Sequence, residues 1–395
     1  MKILHIIHSM EPVTGGVAQT LRNLLPVLMR MGVTSEVVCF DVPLTSRGQI
    51  NDGFVIHRIG PSAGRWGRVK GFKHWLDSYA YEFDVIVLHG LWLYNGYAYT
   101  KWIRGRSRRY GTRSIRTWVM PHGMLDPWFQ RSSGRRLKSI RNLIYWLLIE
   151  SRTISLADLL IFTSEAERDK ARFSFPFYQP KRTTIISLGV PEPSVDKPTY
   201  TGSRENSKHP EDSFLLALGR IDPKKGFHLL PEVWMRLMQD PHYRNNLPIL
   251  FMAGPGWESD HGTFLLDRIK ALGLGHLILT NGMLQGDAKW AALRSCEALI
   301  MPSHQENFGL VAAEALACGT PVLLTEQVDI SAEIVEAGAG LSGNDTVEGI
   351  ERMVKQWIDL NPGTRQHMKA AARKAYIERF DIHHTASRFI HLLEE

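Results

Sequence analysis

The feature that most constrains the fold is an alternation of short apolar runs with amphipathic stretches, which occurs twice along the chain. The first series contains KILHII, SEVVCFDV, FDVIVLHG and RTWVMPHG, and the second contains FLLALGR, PILFMAG, LILTNG, ALIMPS and TPVLLT. Between these runs lie segments such as VAQTLRNLLPVLMRMG, where apolar residues recur at helical spacing and a glycine follows. Strands that alternate with helices predict parallel sheets covered by helices on both faces, so we expect an α/β protein.

Two such series in 395 residues indicate two domains joined by a linker. The clearest linker is the stretch 191–212, which is rich in Pro, Ser, Asp and Lys and has no periodicity. We therefore predict an N-terminal domain over residues 1–190, a second domain over residues 213–370 and a helical segment over residues 371–395. Because ligands of parallel sheets bind at the carboxyl ends of the strands, functional residues are expected in the loops that follow the strands.

The composition excludes several classes of protein. Hydrophobic residues make up 44% and charged residues 22% of the chain, as in a soluble globular protein. The longest apolar runs, such as LIYWLLI, are far shorter than the ~20 residues that span a bilayer, and the first residues lack a signal-peptide core. Cys39, Cys296 and Cys318 lie far apart, which predicts reduced thiols and a cytoplasmic location.

Two glutamates stand in the otherwise small and apolar segment HQENFGLVAAEALACGTPVLLT. Glu306 falls in the loop after the predicted strand ALIMPS, and Glu314 falls one to two turns inside the helix that follows. The backbone N–H groups of Asn307, Phe308 and Gly309 lie at the start of that helix, where an anion is favoured. Carboxylates on either side of an anion match the order of sugar, phosphate and ribose in a nucleotide sugar. The alternative is that both glutamates are solvated.

A second loop at a strand end carries cations. The segment LALGRIDPKKGFHLL places Arg220 at the end of a predicted strand and Lys224 and Lys225 just before a helix. Arginine and lysine at this spacing can clamp a diphosphate. The alternative is that the lysines are ordinary charges at a helix start and that Arg220 pairs with Asp222.

These motifs, together with AGPG and NGMLQGDAKWAAL, resemble the C-terminal domain of the retaining glycosyltransferase family 4. The N-terminal stretches GGVAQTLRNL and PHGMLDPW are similar to the first domain of the same family, and all the motifs occur in the family's order. The resemblance implies the GT-B fold, in which two Rossmann-like domains have parallel sheets that face a central cleft. It also implies that the C-terminal helix, within residues 371–395, crosses back to the N-terminal domain.

The resemblance also implies roles for the residues of the second domain. Glu306 would contact hydroxyls of the donor sugar, and Glu314 would contact the ribose of the nucleotide. Arg220 and Lys225 would hold the donor diphosphate.

In the first domain, the resemblance places His122 opposite the donor sugar. Gly15 and Gly16 would lie near the phosphates and the path of the acceptor. A single histidine after a strand is more often a structural hydrogen-bonding residue, and this alternative stays open for His122. Gly123 beside it would allow a close backbone approach. His5, at a strand end, is expected to be structural.

The expected activity is transfer of a hexose, with retention, from a nucleotide-diphosphate sugar to a glycan acceptor in polysaccharide or cell-surface glycan biosynthesis. The sequence contains no D-x-D, H-E-x-x-H or Cys/His cluster, so no metal and no cofactor are expected. Arg220, Lys225 and the helix start would stabilise the leaving diphosphate instead. An epimerase or a phosphorylase of the same fold is the alternative.

Positive charge is concentrated in residues 58–141, which contain 17 Lys or Arg, 4 Asp or Glu and six of the eleven tryptophans. Such a surface suits an anionic membrane, and it predicts attachment to the cytoplasmic face of a membrane and a lipid-linked acceptor. The alternative is a solvated basic face over core tryptophans. Nucleic acid is not an expected partner, because no RRM, KH or helix-turn-helix signature occurs.

Overall fold

The structure is a computed structural model that describes residues 1–12, 15–43, 52–107, 115–128, 136–193 and 213–395, without the side chains of residues 106–107 and 136–138. Contacts along the chain divide it into two units. The first unit comprises Met1–Gly189 with Ile382–Glu395, and the second comprises Val190–Asp381. Most of the linker predicted over residues 191–212 lies outside the described residues.

The first unit is built on a seven-stranded sheet in the order β3-β2-β1-β4-β5-β6-β7, in which all neighbouring strands run parallel. Its strands are β1 Lys2–Ile6, β2 Thr34–Cys39, β3 Val55–Arg58, β4 Val85–His89, β5 Arg116–Met120, β6 Leu159–Phe162 and β7 Thr183–Ile185. The order reverses between β1 and β4. The loops that follow these two strands therefore diverge, which leaves a crevice at their carboxyl ends.

Helices cover this sheet because each presents an apolar face to it. In the first of them, Leu21, Leu24, Leu25 and Leu28 recur at helical spacing and are buried. The helices of this unit are α1 Gly16–Arg30, α2 Phe72–Tyr79, α3 Tyr94–Ser107, α4 Arg136–Tyr145, α5 Ser151–Leu156, α6 Glu165–Ala171 and α14 Ile382–Glu394. A π-helical segment, Trp146–Glu150, joins α4 to α5. The last helix packs on this sheet through Phe389, whose ring lies 5.4 Å from that of Trp118.

The second unit contains a six-stranded parallel sheet in the order β10-β9-β8-β11-β12-β13. Its strands are β8 Phe214–Leu218, β9 Ile249–Ala253, β10 Ile278–Asn281, β11 Ala298–Met301, β12 Val322–Thr325 and β13 Gly340–Gly343. Here the order reverses between β8 and β11. The loop that carries Arg220 and Lys225 follows β8, and the loop that carries Glu306 follows β11.

The helices of the second unit are α7 Leu230–Gln239, α8 Asp260–Ala271, α9 Gly286–Ser295, α10 Leu310–Ala317, α11 Ser331–Glu336, α12 Val347–Asp359 and α13 Pro362–Ala375. The loops at the carboxyl edge pack backbone against backbone. A Cβ atom on Gly226 would lie 1.8 Å from the carbonyl oxygen of Pro302, so the loop after β8 can approach the end of β11 only with glycine at this position.

Residues 371–381 were predicted to belong with the last helix, whereas their contacts with other residues assign them to the second unit. The reason is the burial of Tyr376 and Phe380 in the second unit. The backbone N–H of Val190 donates to the carbonyl oxygen of Phe380 over 2.9 Å, and the Tyr376 hydroxyl donates to the carbonyl oxygen of Val190 over 3.2 Å.

All nine strands predicted from apolar runs are confirmed, with ends that agree to within three residues. Four strands were not predicted: β3, β6, β7 and β13. β3, β7 and β13 lie at sheet edges, where fewer side chains are buried and the apolar pattern is weak. Among the described residues, we find no helix long and apolar enough to cross a membrane.

Candidate functional site

The loop after β8 presents the predicted cations at the crevice of the second sheet. Arg220 is exposed, and Lys225 ends a 3₁₀ turn that runs over Pro223–Lys225. The carboxylate of Asp222 caps this turn by accepting the backbone N–H of Lys224 over 2.9 Å. Within the described residues Asp222 therefore serves as a cap and forms no ion pair with Arg220. The guanidinium of Arg220 remains accessible to a ligand.

The loop after β11 brings Glu306 to Lys225. The Lys225 ammonium donates to Oε2 of Glu306 in an ion pair. The backbone of Glu306 is fixed on both sides, because its N–H donates to Gln327 over 3.1 Å and its carbonyl accepts from Asp329 over 3.0 Å. The two loops therefore meet in a carboxylate–ammonium pair at the point where the strand order reverses.

The electrostatics at Glu306 reflect all the cations of the loop after β8. Burial by itself would raise the pKa of this carboxyl, but the charge and hydrogen bond of Lys225, with the charges of Lys224 and Arg220, lower it below its ordinary value. Glu306 is therefore ionised at neutral pH. An ionised carboxylate among three cations can accept hydroxyl hydrogen bonds while the cations hold an anion beside it.

The helix α10 begins beside Glu306. Gly309 precedes it with a φ of 76°, and a Cβ atom there would lie 3.3 Å from Cγ of Glu306. The side chain of Phe308 is buried against Phe380, with ring centroids 5.8 Å apart, so the backbone of Asn307, Phe308 and Gly309 is held at the helix start. The first N–H groups of a helix have no partner within it, which makes this position suitable for an anion.

Glu314, on α10, has a different partner. Its side chain is 6% exposed, and its Oε1 accepts a hydrogen bond from the Lys289 ammonium over 2.6 Å. Burial raises the pKa of Glu314, and Lys289 offsets that rise only in part. Lys289 was not predicted from the sequence. It is a single lysine among the apolar residues of α9, and such a residue by itself does not point to α10.

In the first unit, His122 occupies a strained turn after β5. Its φ is 52°, and Gly123 follows with a φ of 78°. A carboxylate holds this turn: Oε1 of Glu167 accepts the N–H of Gly123 over 2.6 Å, and Oε2 accepts the N–H and the hydroxyl of Thr163 over 2.7 Å and 2.8 Å. Non-glycine residues at positive φ cost energy and persist where surrounding structure fixes them, which is common at functional sites. The role of Glu167, like that of Lys289, was not predicted from the sequence.

His122 belongs to a chain of three imidazoles that extends across three adjacent strands. Nε2 of His122 lies 2.9 Å from Nδ1 of His89, and Nε2 of His89 lies 2.9 Å from Nδ1 of His5. Burial lowers the pKa of His122 to about 4 and that of His5 to about 3. The pKa of His89 is lowered well below its ordinary value by burial and by its two neighbours. All three rings are therefore neutral at pH 7. His5, expected to be structural, is thus linked to the candidate site residue His122 through His89.

Gly15 and Gly16 follow β1, beside the strand-order reversal of the first sheet. Gly15 has a φ of 97° and immediately precedes α1, which begins at Gly16. A Cβ atom at Gly15 would meet nothing within 4 Å, so the positive φ, and not a lack of space, favours glycine here. The neighbouring residues 13 and 14 lie outside the described residues.

In the part of the chain that the structure describes, no group of three or more His, Cys, Asp or Glu side chains could hold a metal ion.

The predicted site residues lie in two groups, one in each unit. Arg220, Lys225, Glu306 and the start of α10 share one crevice, while His122 and the two glycines lie at the carboxyl edge of the other sheet.

Two family models match the chain, and their bounds agree closely with its division into two units. Residues 14–192 match the family model "Glycosyltransferase Family 4", and residues 201–375 match "Glycosyl transferases group 1". The D-inositol 3-phosphate glycosyltransferase of Geodermatophilus obscurus is 27% identical over 248 residues, 60% of this chain and 54% of that protein. That of Kineococcus radiotolerans is 29% identical over 197 residues, 48% of this chain and 45% of that protein. The chain thus spans about half the length of the curated relatives it matches.

Solved structures are similar over the whole chain. Sucrose-phosphate synthase from Thermosynechococcus elongatus has a TM-score of 0.77 at 18% identity and covers 100% of this chain and 98% of its own. Anabaena HepE in complex with UDP-glucose has a TM-score of 0.74 at 18% identity, with 100% and 99% covered. These similarities, with the two parallel sheets, confirm the GT-B fold implied by the motifs. The ordered matches of two family models over nearly the whole chain show that it belongs to the group 1 glycosyltransferases of family 4.

Proposed function

We propose that the protein transfers a hexose from a nucleoside-diphosphate sugar to a glycan acceptor in polysaccharide or cell-surface glycan biosynthesis. The observation that carries this proposal is the meeting of Arg220, Lys225 and Glu306 where the strand order of the second sheet reverses. The curated relatives are named glycosyltransferases, and HepE was solved with UDP-glucose, which supports a nucleotide-sugar donor.

In this proposal the cations of the loop after β8 bind the diphosphate. Breaking the bond from the anomeric carbon to oxygen places negative charge on the diphosphate and positive charge on the sugar. Arg220, Lys225 and the N–H groups at the start of α10 stabilise the leaving group as that charge develops. Glu306 remains ionised beside Lys225 and accepts hydrogen bonds from sugar hydroxyls. No cofactor is needed for this chemistry.

Transfer is proposed to retain the anomeric configuration. A carboxylate that is ion-paired with an ammonium is a weak nucleophile, which disfavours a covalent intermediate on Glu306. The acceptor hydroxyl would then attack from the face that the diphosphate leaves. The stereochemistry of the product, read by proton NMR, tests this step: an α-linked product from an α-linked donor is expected, and a β-linked product would overturn it.

A donor screen tests the proposal as a whole. Thermal unfolding is followed with UDP-, GDP- and ADP-sugars, because a ligand at 100 times its Kd stabilises the native state by about 2.7 kcal/mol. One donor class should raise Tm of the wild type and leave the Arg220→Ala, Lys225→Ala double variant unchanged. If no nucleotide sugar raises Tm, the proposal fails.

The same donor distinguishes the alternative enzymes. A transferase consumes the donor only when an acceptor glycan is present, and it releases nucleoside diphosphate. An epimerase would convert the donor without an acceptor. A phosphorylase would instead act on a glycan with inorganic phosphate.

We further propose that the first unit lies on an anionic bilayer, where the acceptor glycan would be lipid-linked. An exposed apolar stripe runs along α4 and the π-helical segment at helical spacing, with exposed fractions from 39% to 57%. The stripe consists of Ile140, Leu143, Ile144, Leu147 and Leu148. A helix with one apolar face and adjacent basic residues suits a bilayer interface.

Basic side chains lie next to this stripe. Arg141 is exposed on α4. The loop that carries the exposed Arg65 and Arg68 contacts the end of α4, because the indole N–H of Trp66 donates to the Tyr145 hydroxyl over 2.5 Å. Each lysine or arginine near an anionic leaflet contributes about 1 kcal/mol of attraction. Other exposed lysines within residues 58–141 are Lys70, Lys73 and Lys101.

Four of the six tryptophans in residues 58–141 lie in or against the core and do not form this surface. Trp102 and Trp118 are buried, and Trp75 and Trp92 pack against the core of the first unit. Trp66 is half-buried and contacts the rings of Tyr94, Tyr97 and Tyr145. The alternative of core tryptophans beneath a basic face therefore fits Trp75, Trp92, Trp102 and Trp118, and the apolar contact with the bilayer is assigned to the stripe. Several basic residues within residues 58–141 have no described side chain: Arg106, Arg108, Arg109, Arg131, Arg135, Arg136 and Lys138.

Co-sedimentation with vesicles tests the membrane proposal. The wild type should pellet with anionic vesicles at low salt and remain in the supernatant with neutral vesicles or near 1 M salt, where the Debye length is about 3 Å. An Ile144→Gln, Leu148→Gln double variant should bind anionic vesicles at least ~10-fold more weakly, because burying each side chain contributes about 1.5 kcal/mol or more.

Phe264→Gln is the matched control, since Phe264 is a similarly exposed apolar residue of the second unit, at 58%. This variant should bind as the wild type does. Recovery of the wild type in the supernatant under all conditions would favour a solvated basic face. If Phe264→Gln weakened binding to anionic vesicles equally, membrane binding could not be assigned to the stripe.

A further inference from the structure

The chain of three imidazoles in the first unit has one buried end and one partly exposed end. His5 is fully buried and His89 is 4% exposed, while His122 is partly exposed. We propose that His5 and His89 are positioning residues that fix the tautomer of His122, so that it presents Nδ1–H as a hydrogen-bond donor. The use of this donor on a substrate oxygen rests on the proposed function, whereas the tautomer itself does not.

Two proton arrangements are compatible with the two nitrogen–nitrogen hydrogen bonds. A neutral imidazole carries one N–H and one bare nitrogen, so each ring in the chain donates on one side and accepts on the other. If His122 donates from Nε2 to His89, then His89 donates to His5, and His5 must carry its proton on Nε2. If the direction is reversed, His5 donates from Nδ1, and His122 carries its proton on Nδ1.

The buried end decides between these directions. Nε2 of His5 has no hydrogen-bond partner in the described structure, and the ring of Phe389 lies 6.2 Å from that of His5. In the first direction this nitrogen would carry an N–H without an acceptor inside the protein. In the second it is a bare nitrogen, and unpaired acceptors are better tolerated in protein interiors than unpaired N–H groups. The second direction is therefore favoured.

The consequence appears at His122, the other end of the chain of imidazoles. Nδ1 of His122 has no hydrogen-bond partner among the described residues. In the favoured direction this atom is an N–H that can donate to an oxygen. For a transferase that oxygen belongs to the sugar or phosphate of the donor, and a site with the opposite tautomer would instead accept a hydroxyl hydrogen. The strained turn held by Glu167 fixes the orientation of the ring that carries this proton.

Long-range proton–nitrogen NMR of protein labelled with ¹⁵N-histidine tests the proposal without any substrate. The 16 histidines are assigned by single-site variants, and each tautomer is read from which ring nitrogen is protonated. His5, His89 and His122 should each carry the proton on Nδ1 at pH 7. Protonation of His122 on Nε2 in the wild type would overturn the proposal, whatever the outcome of the donor screen.

A matched pair of variants tests the role of the buried end. His5→Phe offers no acceptor to His89, so the direction should be kept and His122 should remain protonated on Nδ1. His5→Asn offers both an amide oxygen and an NH₂ group, so both directions become available and His122 should show a mixture of tautomers. Identical His122 spectra in the two variants would show that the buried end does not set the tautomer. If His5→Asn does not fold, the wild-type and His5→Phe spectra still decide the proposal.

Discussion

The two sheets have the same kind of crevice, at the point where the strand order reverses, but the two crevices carry opposite chemistry. Near the crevice between β1 and β4, three imidazoles are neutral because burial lowers each pKa. At the crevice between β8 and β11, Glu306 is buried enough for its pKa to rise, yet three nearby cations lower it. The difference lies in the counter-charge that each crevice supplies.

This difference shows how one architecture provides two environments. A titratable group without a counter-charge becomes neutral when it is buried, whereas an ion pair keeps both groups charged. The first edge is therefore suited to hydrogen bonds with uncharged groups. The second is suited to an anion and to the charge that develops when an anion leaves. Each of the following experiments alters one side of this comparison.

The largest effect is expected from removing the cations of the second crevice. The Arg220→Ala, Lys225→Ala double variant should reduce kcat by about 10³, because loss of one group that stabilises transition-state charge already costs about 10² to 10³. Steady-state transfer from the donor found in the thermal screen measures the effect. Lys270→Ala, at an exposed lysine of the same unit, should leave kcat unchanged. Near-wild-type transfer by the double variant would show that Arg220 and Lys225 do not belong to the site.

A second effect concerns acid stability and comes from the first crevice. The pKa of His5 falls from an ordinary value of 6.5 to about 3 in the folded state. The unfolded chain therefore binds a proton first as the pH falls, so stability that is present above pH 6.5 is lost below it. Between pH 7 and pH 5 this group alone should cost about 2 kcal/mol.

Urea unfolding of the wild type and of His5→Phe at the two pH values measures this loss. The free energy of unfolding of the wild type should fall by about 2 kcal/mol more than that of the variant. Taking the difference between the two proteins cancels the contributions of other titrating groups. Equal losses in both proteins would contradict a buried neutral His5.

The sequence predicted one crevice better than the other, and the reason is physical. Arg220, Lys225 and Glu306 lie in loops directly after strong apolar strands, so the strand pattern alone brings them to one edge. The partners Lys289 and Glu167 lie on helices, whose faces the strand pattern does not relate to the loops. The chain from His5 to His122 depends on β1, β4 and β5 being neighbours, and this order is a property of the sheet that no local segment contains.

A smaller effect is expected at the other carboxylate of the second unit. Lys289→Met removes the partner of the nearly buried Glu314, so the pKa of Glu314 should rise further. If Glu314 contacts the donor ribose, as the resemblance implies, its hydrogen bonds to the ribose should then weaken. Donor affinity should fall about tenfold, which corresponds to about 1.4 kcal/mol, while kcat changes little. Isothermal titration with the donor gives the affinity, and Lys270→Met is the control. A fall in kcat with unchanged affinity would place Glu314 at the reacting atoms instead.

The smallest effect is expected from removing divalent metal. The second crevice presents two predicted diphosphate ligands, Arg220 and Lys225. In the proposed function their charge would supply what Mg²⁺ supplies to diphosphates elsewhere. Transfer by the wild type should change less than about twofold when EDTA is added. Complete loss that Mg²⁺ or Mn²⁺ restores would contradict this expectation. The Arg220→Ala variant sharpens the experiment, because one positive charge is then missing beside the diphosphate. Added Mg²⁺ should raise the activity of that variant and leave the wild type unchanged, whereas an equal response of both proteins would show that the arginine does not serve as the counter-charge.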